Sequence, residues 1–198
     1  MLQVRDLHCP GLQPVSLAVA GATCVAITGP SGSGKSRILR AIADLDPNSG
    51  DVSADGVDRA AVPAPEWRRR VRFLAAEPAW WEPRIGAHFA AAADVAPLMA
   101  ELDLPADCLD WPVERASTGQ RQRLALIRGL LDEPAVLLLD EPTAALDAAA
   151  RDKVEVLLAR RMAAGASIVL ATHDLAQAGR LAGAVYRLAD GRLAEAAL

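Results

Sequence analysis

The chain has 198 residues, 52% of them hydrophobic and 23% charged, with a net charge of −4. That suits one compact unit with room for two lobes, and the acidic balance gives no support for nucleic acid as the main partner. No run of about twenty apolar residues exists to cross a membrane, no signal pattern precedes Arg5, Asp6 and His8, and Cys9, Cys24 and Cys108 are too scattered for a disulfide framework or zinc site.

Taken in order, Leu2 to Asp6 and Val15 to Val19 alternate apolar and polar residues, which predicts an antiparallel pair. Val25 to Thr28 is a short buried strand. It runs into a glycine-rich stretch and then a helix over Arg37 to Leu45, with Ile38, Leu39, Ile42 and Leu45 on one stripe. Asp46 to Asp51 signals a turn, and Asp51 to Asp58 a hairpin turned at Asp55-Gly56. Pro63, Pro65 and the cluster Arg68, Arg69, Arg70 and Arg72 follow, the arginines read as a solvated face or ion pairs. Val71 to Ala75 is predicted as a core strand.

From about Ala76 to Leu131 the character changes. Ile85 to Ala93 and Ala96 to Leu102 read as alanine-rich helices, interrupted by Pro105 and Pro112, in an inserted helical lobe. Ala135 to Asp140 is an unbroken apolar strand. A helix over Ala148 to Ala164 ends at Gly165, a strand spans Ser167 to Thr172, and a short helix spans Leu175 to Leu181. Val185 to Leu188 and Arg192-Leu193 close the chain as a hairpin turned at Asp190-Gly191. Strands alternating with helices argue for an α/β fold with a mostly parallel sheet.

The chemistry concentrates in a few stretches. Gly29-Pro30-Ser31-Gly32-Ser33-Gly34-Lys35-Ser36 fits G-x-x-x-x-G-K-[ST], between a strand and a helix. Glycines let successive N–H groups point inward at phosphate oxygens, and the helix N-terminus favours the same charge. Lys35 adds a cation at the β/γ-phosphates, and the Ser36 hydroxyl suits Mg²⁺. Asp140 ends a buried strand, where a carboxylate holds Mg²⁺ directly or through water. Glu141 follows and suits the orientation of an attacking water, although the same pair also reads as a helix-capping turn. Ala116-Ser117-Thr118-Gly119-Gln120 precedes an Arg- and Leu-rich helix, with Ser117 as its N-cap.

At this point the sequence resembles the nucleotide-binding subunit of an ATP-binding cassette (ABC) transporter. Gly29 to Ser36 matches the Walker A loop, and Ala116 to Gln120 resembles the LSGGQ signature. Leu137 to Pro142 matches Walker B, Ala144-Ala145-Leu146-Asp147 resembles the D-loop, and Thr172-His173-Asp174 matches the switch histidine. The resemblance implies a single ATPase domain over 1–198. Residues 1–75 and 132–198 form a P-loop NTPase core with an antiparallel β portion, and 76–131 form an inserted helical subdomain. It further implies ATP on Gly29 to Ser36 and Arg37, with Mg²⁺ on Ser36 and Asp140. Lys35, Glu141 and His173 carry catalysis, and Ser117, Thr118, Gly119 and Gln120 act across to a second copy of the chain, paired head to tail. The implied partner is an integral-membrane permease, and the implied place is peripheral, on the cytoplasmic face of a bacterial membrane. The alternatives are a soluble cassette ATPase outside transport and a weakly hydrolysing regulatory module. No regulatory domain is expected after the last hairpin.

The chain departs from the family pattern in places. Ala76 stands where the family has a glutamine, with Glu77 next to it as a substitute metal contact. Cys9, beside His8, stands where an aromatic usually stacks on adenine. Ala116 and Thr118 replace the usual Leu and Gly of the signature. Trp80 and Trp81 read either as a permease-docking groove or as core packing of the helical lobe. The stretches 29–45 and 73–81 resemble small bacterial cassettes linked to metal or iron export.

Overall fold

The computed structural model describes residues 1–90 and 94–196. Strands β1 (Leu2–His8), β2 (Val15–Val19), β4 (Ser49–Ala54) and β5 (Val57–Asp58) form an antiparallel sheet in the order β2-β1-β4-β5. Strands β3 (Cys24–Thr28), β6 (Val71–Leu74), β7 (Val136–Asp140), β8 (Ser167–Ala171), β9 (Ala184–Ala189) and β10 (Arg192–Ala196) form a second sheet in the order β10-β9-β3-β8-β7-β6. Its pairs are parallel except β10 on β9. Every residue of β3, β7 and β8 is buried. That is why they read as apolar runs rather than alternating ones: both faces of the sheet are covered.

The cover differs on the two faces. On one side, helix α1 (Lys35–Ile42) and the antiparallel sheet bury Ile27, Leu138 and Val169 with Leu2, Val15, Ile38 and Leu39. On the other, helices α4 (Thr118–Leu130), α5 (Ala148–Ala163) and α6 (Leu175–Leu181) bury Leu137, Leu139 and Leu170 with Leu124, Ile127, Val154, Leu158 and Ala178. Helix α3 (Ala96–Glu101) adds Met99 to this second core.

The sequence assigns no element to 63–70. The prolines at 63 and 65 start helix α2 (Ala64–Arg70), where a ring at the first turn removes only an N–H that has no helical partner anyway. Its Trp67 is fully buried and donates Nε1–H to the Ile42 carbonyl at 2.9 Å, so one aromatic outweighs three flanking arginines. The strand over Val71 to Leu74 is the sheet edge, only partly buried after Val71, rather than a central strand. The helix expected over Ile85 to Ala93 is a 3₁₀ turn at Ile85–His88 followed by extended backbone at Phe89, and its last part, 91–93, lies outside the described residues.

A buried polar knot ties α5 to α6. Glu155 accepts two hydrogen bonds from Arg180, both at 2.7 Å, and one from Gln177 Nε2 at 3.2 Å. The Arg180 guanidinium holds the Glu155 carboxyl below its ordinary range, against the opposing pull of burial. A depressed carboxylate stabilises the fold above its ordinary pKa and loses that contribution as pH falls through its folded value. Glu155→Gln is therefore expected to lower Tm at pH 7, with the gap to the parent chain closing below about pH 4. Thermal melts across pH 3 to 8 (about, in unit steps) check this. Trp67→Ala is expected to cost about 3–5 kcal/mol in urea unfolding, the range for emptying a buried aromatic site.

Candidate functional site

The register of the parallel sheet sets up the site. Ile27 pairs with Ala171, and Ala171 with Asp140, so three adjacent strands end level. The chain continues the ladder past those ends: Thr172 N–H donates to Ile27 at 3.1 Å and Glu141 N–H to Ala171 at 2.9 Å. The glycine loop, Glu141 and His173 therefore emerge at the same edge, outside the carboxyl ends of the strands, where α/β folds bind ligands.

The loop is fitted to its place. Gly29 has φ +151, and a Cβ there would lie 2.4 Å from the Leu188 carbonyl, so only glycine can occupy it. Lys35 is buried at the start of α1, and its Nζ donates to the carbonyls of Gly29 at 2.9 Å and Pro30 at 3.2 Å. The Ser33 hydroxyl is buried without a hydrogen-bond partner among the described residues. A cation curled over a glycine loop beside an unpartnered hydroxyl is a fitted cradle for an oxyanion. Arg37, exposed in the first turn, donates to the Pro10 carbonyl and holds down the turn at 9–12.

Glu141 stands opposite. One carboxylate oxygen is 3.0 Å from His173 Nδ1 and the other 4.0 Å from Lys35 Nζ. Glu141 itself is left-handed, at φ +47, an uncommon conformation for a residue with a side chain. Gln122 from α4 stabilises it: its Nε2 donates to the Glu141 carbonyl at 2.8 Å, and its Oε1 accepts from Ala145 N–H at 3.3 Å. Asp140 is buried. Desolvation pushes its carboxyl up, the Ser36 hydroxyl pulls it down, Glu141 adds to the rise and Lys35 opposes it. The Ser36 hydroxyl and the Asp140 carboxylate form a hard-oxygen pair of the kind Mg²⁺ uses, and a cation there would offset the desolvation of the carboxylate.

The other sequence candidates sit elsewhere. Ser117 caps α4: its hydroxyl accepts from Gln120 N–H at 3.2 Å, and Gln120 Oε1 accepts from Ser117 N–H at 2.8 Å. Gln120 is thus part of the cap, whereas Ser117 and Thr118 face solvent. Gly119 packs on the turn after Glu141, where a Cβ would come within 3.0 Å of the Ala145 carbonyl. No hydrogen bond or ion pair among the described residues joins Ser117, Thr118, Gly119 or Gln120 to Lys35, Glu141 or His173. Glu77 is exposed beyond the end of β6, and Ala76 is half-buried. No group of three or more His, Cys, Asp or Glu that could hold a metal occurs among the described residues. Cys9 does not offer a surface for a base: it is buried in the core, where desolvation raises its thiol pKa. Its neighbour His8, the last residue of β1, is exposed.

The profile of the ABC transporter family matches residues 12–144. The chain belongs to that family. Protein STAR1 of Oryza sativa subsp. japonica is 36% identical over 196 residues, covering 93% of this chain and 57% of its own. The aliphatic sulfonates import ATP-binding protein SsuB of Ralstonia nicotianae is 40% identical over 197 residues, covering 92% of this chain and 66% of its own. The chain therefore spans about six-tenths of the length of the curated relatives it matches. A solved ATP-binding subunit of an ABC transporter superposes with a TM-score of 0.90 at 28% identity, over 100% of this chain and 90% of that one. The α/β architecture with its added antiparallel sheet is that of the ABC ATPases.

Sequence reasoning passed over two ABC-fold residues that hold these turns, Gln122 and Gln177. Gln177 is 1% exposed and donates to the Thr143 hydroxyl at 2.8 Å, joining the turn after Glu141 to the helix after His173. The available signal was a glutamine on the buried face of a helix, four residues before Leu126, a position that a polar side chain occupies only with partners. Gln122→Leu keeps the bulk and removes both bonds. It is expected to lower stability by about 1–3 kcal/mol and to slow nucleotide turnover about tenfold with nucleotide affinity nearly unchanged. Urea unfolding, a binding titration and phosphate release measure the three quantities.

Proposed function

We propose that two copies of this chain pair head to tail around two ATP molecules, hydrolyse them, and so drive a separate membrane-spanning permease. The observation that carries this reading is the meeting of Lys35, Glu141 and His173 at the mouth of the glycine loop. Residues 29–37 would cradle the triphosphate. Lys35 would exchange its carbonyl partners for the β- and γ-phosphates, Glu141 would orient the attacking water, and His173 would keep that water in line with the γ-phosphate. The γ-phosphoryl group would pass to water, leaving ADP and inorganic phosphate. Ser36 and Asp140 would hold a magnesium ion, whose chemistry is to neutralise charge on the β- and γ-phosphates. Glu77 is a weaker candidate for that site, being exposed.

The second copy would contribute Ser117, Thr118 and Gly119, from a helix N-terminus at which Ser117 and Thr118 are exposed. Gln120 would serve through the cap it closes. On this reading 1–75 and 132–198 are the nucleotide-binding core, and 76–131 is the helical part that carries the signature. The permease follows from the family and from relatives named as import subunits of aliphatic sulfonates and of Fe(3+) ions. Those names favour uptake over the export suggested by the local resemblance of 29–45 and 73–81. No helix among the described residues is long and apolar enough to cross a membrane, which supports a peripheral place beside a separate membrane subunit. A second reading, a module that closes on ATP but scarcely hydrolyses it, draws on Ala76 at the usual glutamine position.

Glu141→Gln is expected to keep ATP affinity, to lower hydrolysis by about 10²–10³-fold, and to accumulate a twofold assembly under saturating ATP. Lys35→Ala is expected to lose ATP binding. Phosphate release and light scattering decide: full turnover in either variant, or a monomer at every ATP concentration, removes the reading. Background turnover by the parent chain with Mg²⁺ and ATP favours the second one.

A further inference from the structure

Positions 35 and 37 lie about 200° apart around a helix, and the two side chains part accordingly. Lys35 reaches back over the glycine loop, 4.0 Å from Glu141, whereas Arg37 reaches the Pro10 carbonyl in the turn at 9–12. That turn walls the loop. A Cβ on Gly34 would lie 3.0 Å from a Leu12 methyl. The turn is also anchored: Leu12 N–H donates to the Cys9 carbonyl at 3.1 Å, and Gln13 N–H to the Gly191 carbonyl at 2.8 Å. A triphosphate has two ends. With its γ end at Glu141 and His173, its sugar and base leave the loop on the other side, along Arg37 and this turn.

The turn offers no ring to a base. Cys9 is buried in the core, and Gly11, at φ +78, has no side chain. The aromatic residues lie elsewhere. Trp67, Phe73 and Tyr186 belong to one core and Phe89 to the other, and the remaining tryptophans lie within 76–131. Arg37 supplies a flat group instead. Its Nη1 lies so close to the turn that a Cβ on Gly11 would come within 2.9 Å of it. No carboxylate among the described residues pairs with Arg37. Asp46, which feels its charge, is held by Arg40 through two bonds at 2.7 Å and 2.8 Å. A guanidinium is planar and weakly hydrated, and it can bond along its edge while its face stacks on a π-system. Here Pro10 takes the edge, and exposure leaves a face open.

We propose that Arg37 is the base-recognition residue of this chain: a purine ring stacks on its guanidinium plane, above the turn at 9–12, where an aromatic side chain is lacking. This rests on the ATP reading above and adds what the site demands of the base. A stack meets the face that every purine shares and reads none of the exocyclic groups that separate adenine from guanine. The chain therefore takes ATP and GTP alike. It prefers both to a pyrimidine triphosphate, whose single ring gives a smaller stack.

The test titrates the purified chain with ATP, GTP, CTP and inorganic tripolyphosphate, each with Mg²⁺. The ratio of ATP to tripolyphosphate affinity isolates the part played by the nucleoside. ATP and GTP are expected to bind within about threefold of each other, and CTP about fivefold more weakly. Arg37→Lys keeps the charge and loses the plane, and is expected to lower the ratio about tenfold. Arg37→Tyr loses the bond to Pro10 but regains a ring, and is expected to restore the ratio, which a residue that only held the turn would not do. His8→Ala, the control for the other exposed ring nearby, is expected to leave it where it stands. Thermal melts check that each variant folds, and Arg37→Phe replaces Arg37→Tyr if that one does not. A ratio indifferent to Arg37→Lys, a fall in His8→Ala, no recovery with a ring at 37, or GTP more than about tenfold weaker than ATP overturns the stack and leaves the ATP reading standing. A parent chain that binds neither ATP nor tripolyphosphate overturns both.

Discussion

The molecule depends on the level ending of β3, β8 and β7. Parallel register sets Ile27, Ala171 and Asp140 side by side, and the next residues on each strand become the glycine loop, His173 and Glu141. Lys35 approaches from the first turn of α1, so charges far apart in the chain come within 4.0 Å. A slip of one residue in either pairing would also turn the fully apolar strands out of register with both cores. Burial on two faces therefore enforces the geometry of the site.

The turns at the strand ends need support of their own. Glu141 adopts a left-handed backbone that an ordinary residue resists, and Gln122 bonds both ends of the turn that contains it. Gln177 ties the same turn through Thr143 to the helix that follows His173, and Glu155 and Arg180 hold Gln177 in place. Each of these carboxamides is buried and makes two hydrogen bonds through its side chain, so each resists displacement more strongly than its net hydrogen-bond energy suggests. Gln122 also lines the cleft between β6 and α4, so one side chain touches both that cleft and the backbone of Glu141.

Legibility from sequence followed the strength of local constraints. The glycine loop, the buried strands, the α4 cap at Ser117 and the turns at Asp55-Gly56 and Asp190-Gly191 all stand where their residues put them. Helix α2 went unassigned because Trp67 is its one buried side chain, so its seven residues show no apolar stripe, and its prolines sit at its start, where they cost the helix nothing. Cys9 was expected at the place that stacks on the base, but it follows the end of β1 with its side chain in the core.

The sequence by itself determined the glycine loop, the acidic strand end, the histidine after the next strand and the cap of α4 at Ser117. Those depend on neighbours within a few residues, where backbone sterics and hydrogen bonding decide the outcome. Only the tertiary structure decided that Lys35, Glu141 and His173 share one point and that Gln122 and Gln177 brace it. These contacts join residues separated by 19 to 106 positions in the chain, and only packing and sheet register bring such residues together.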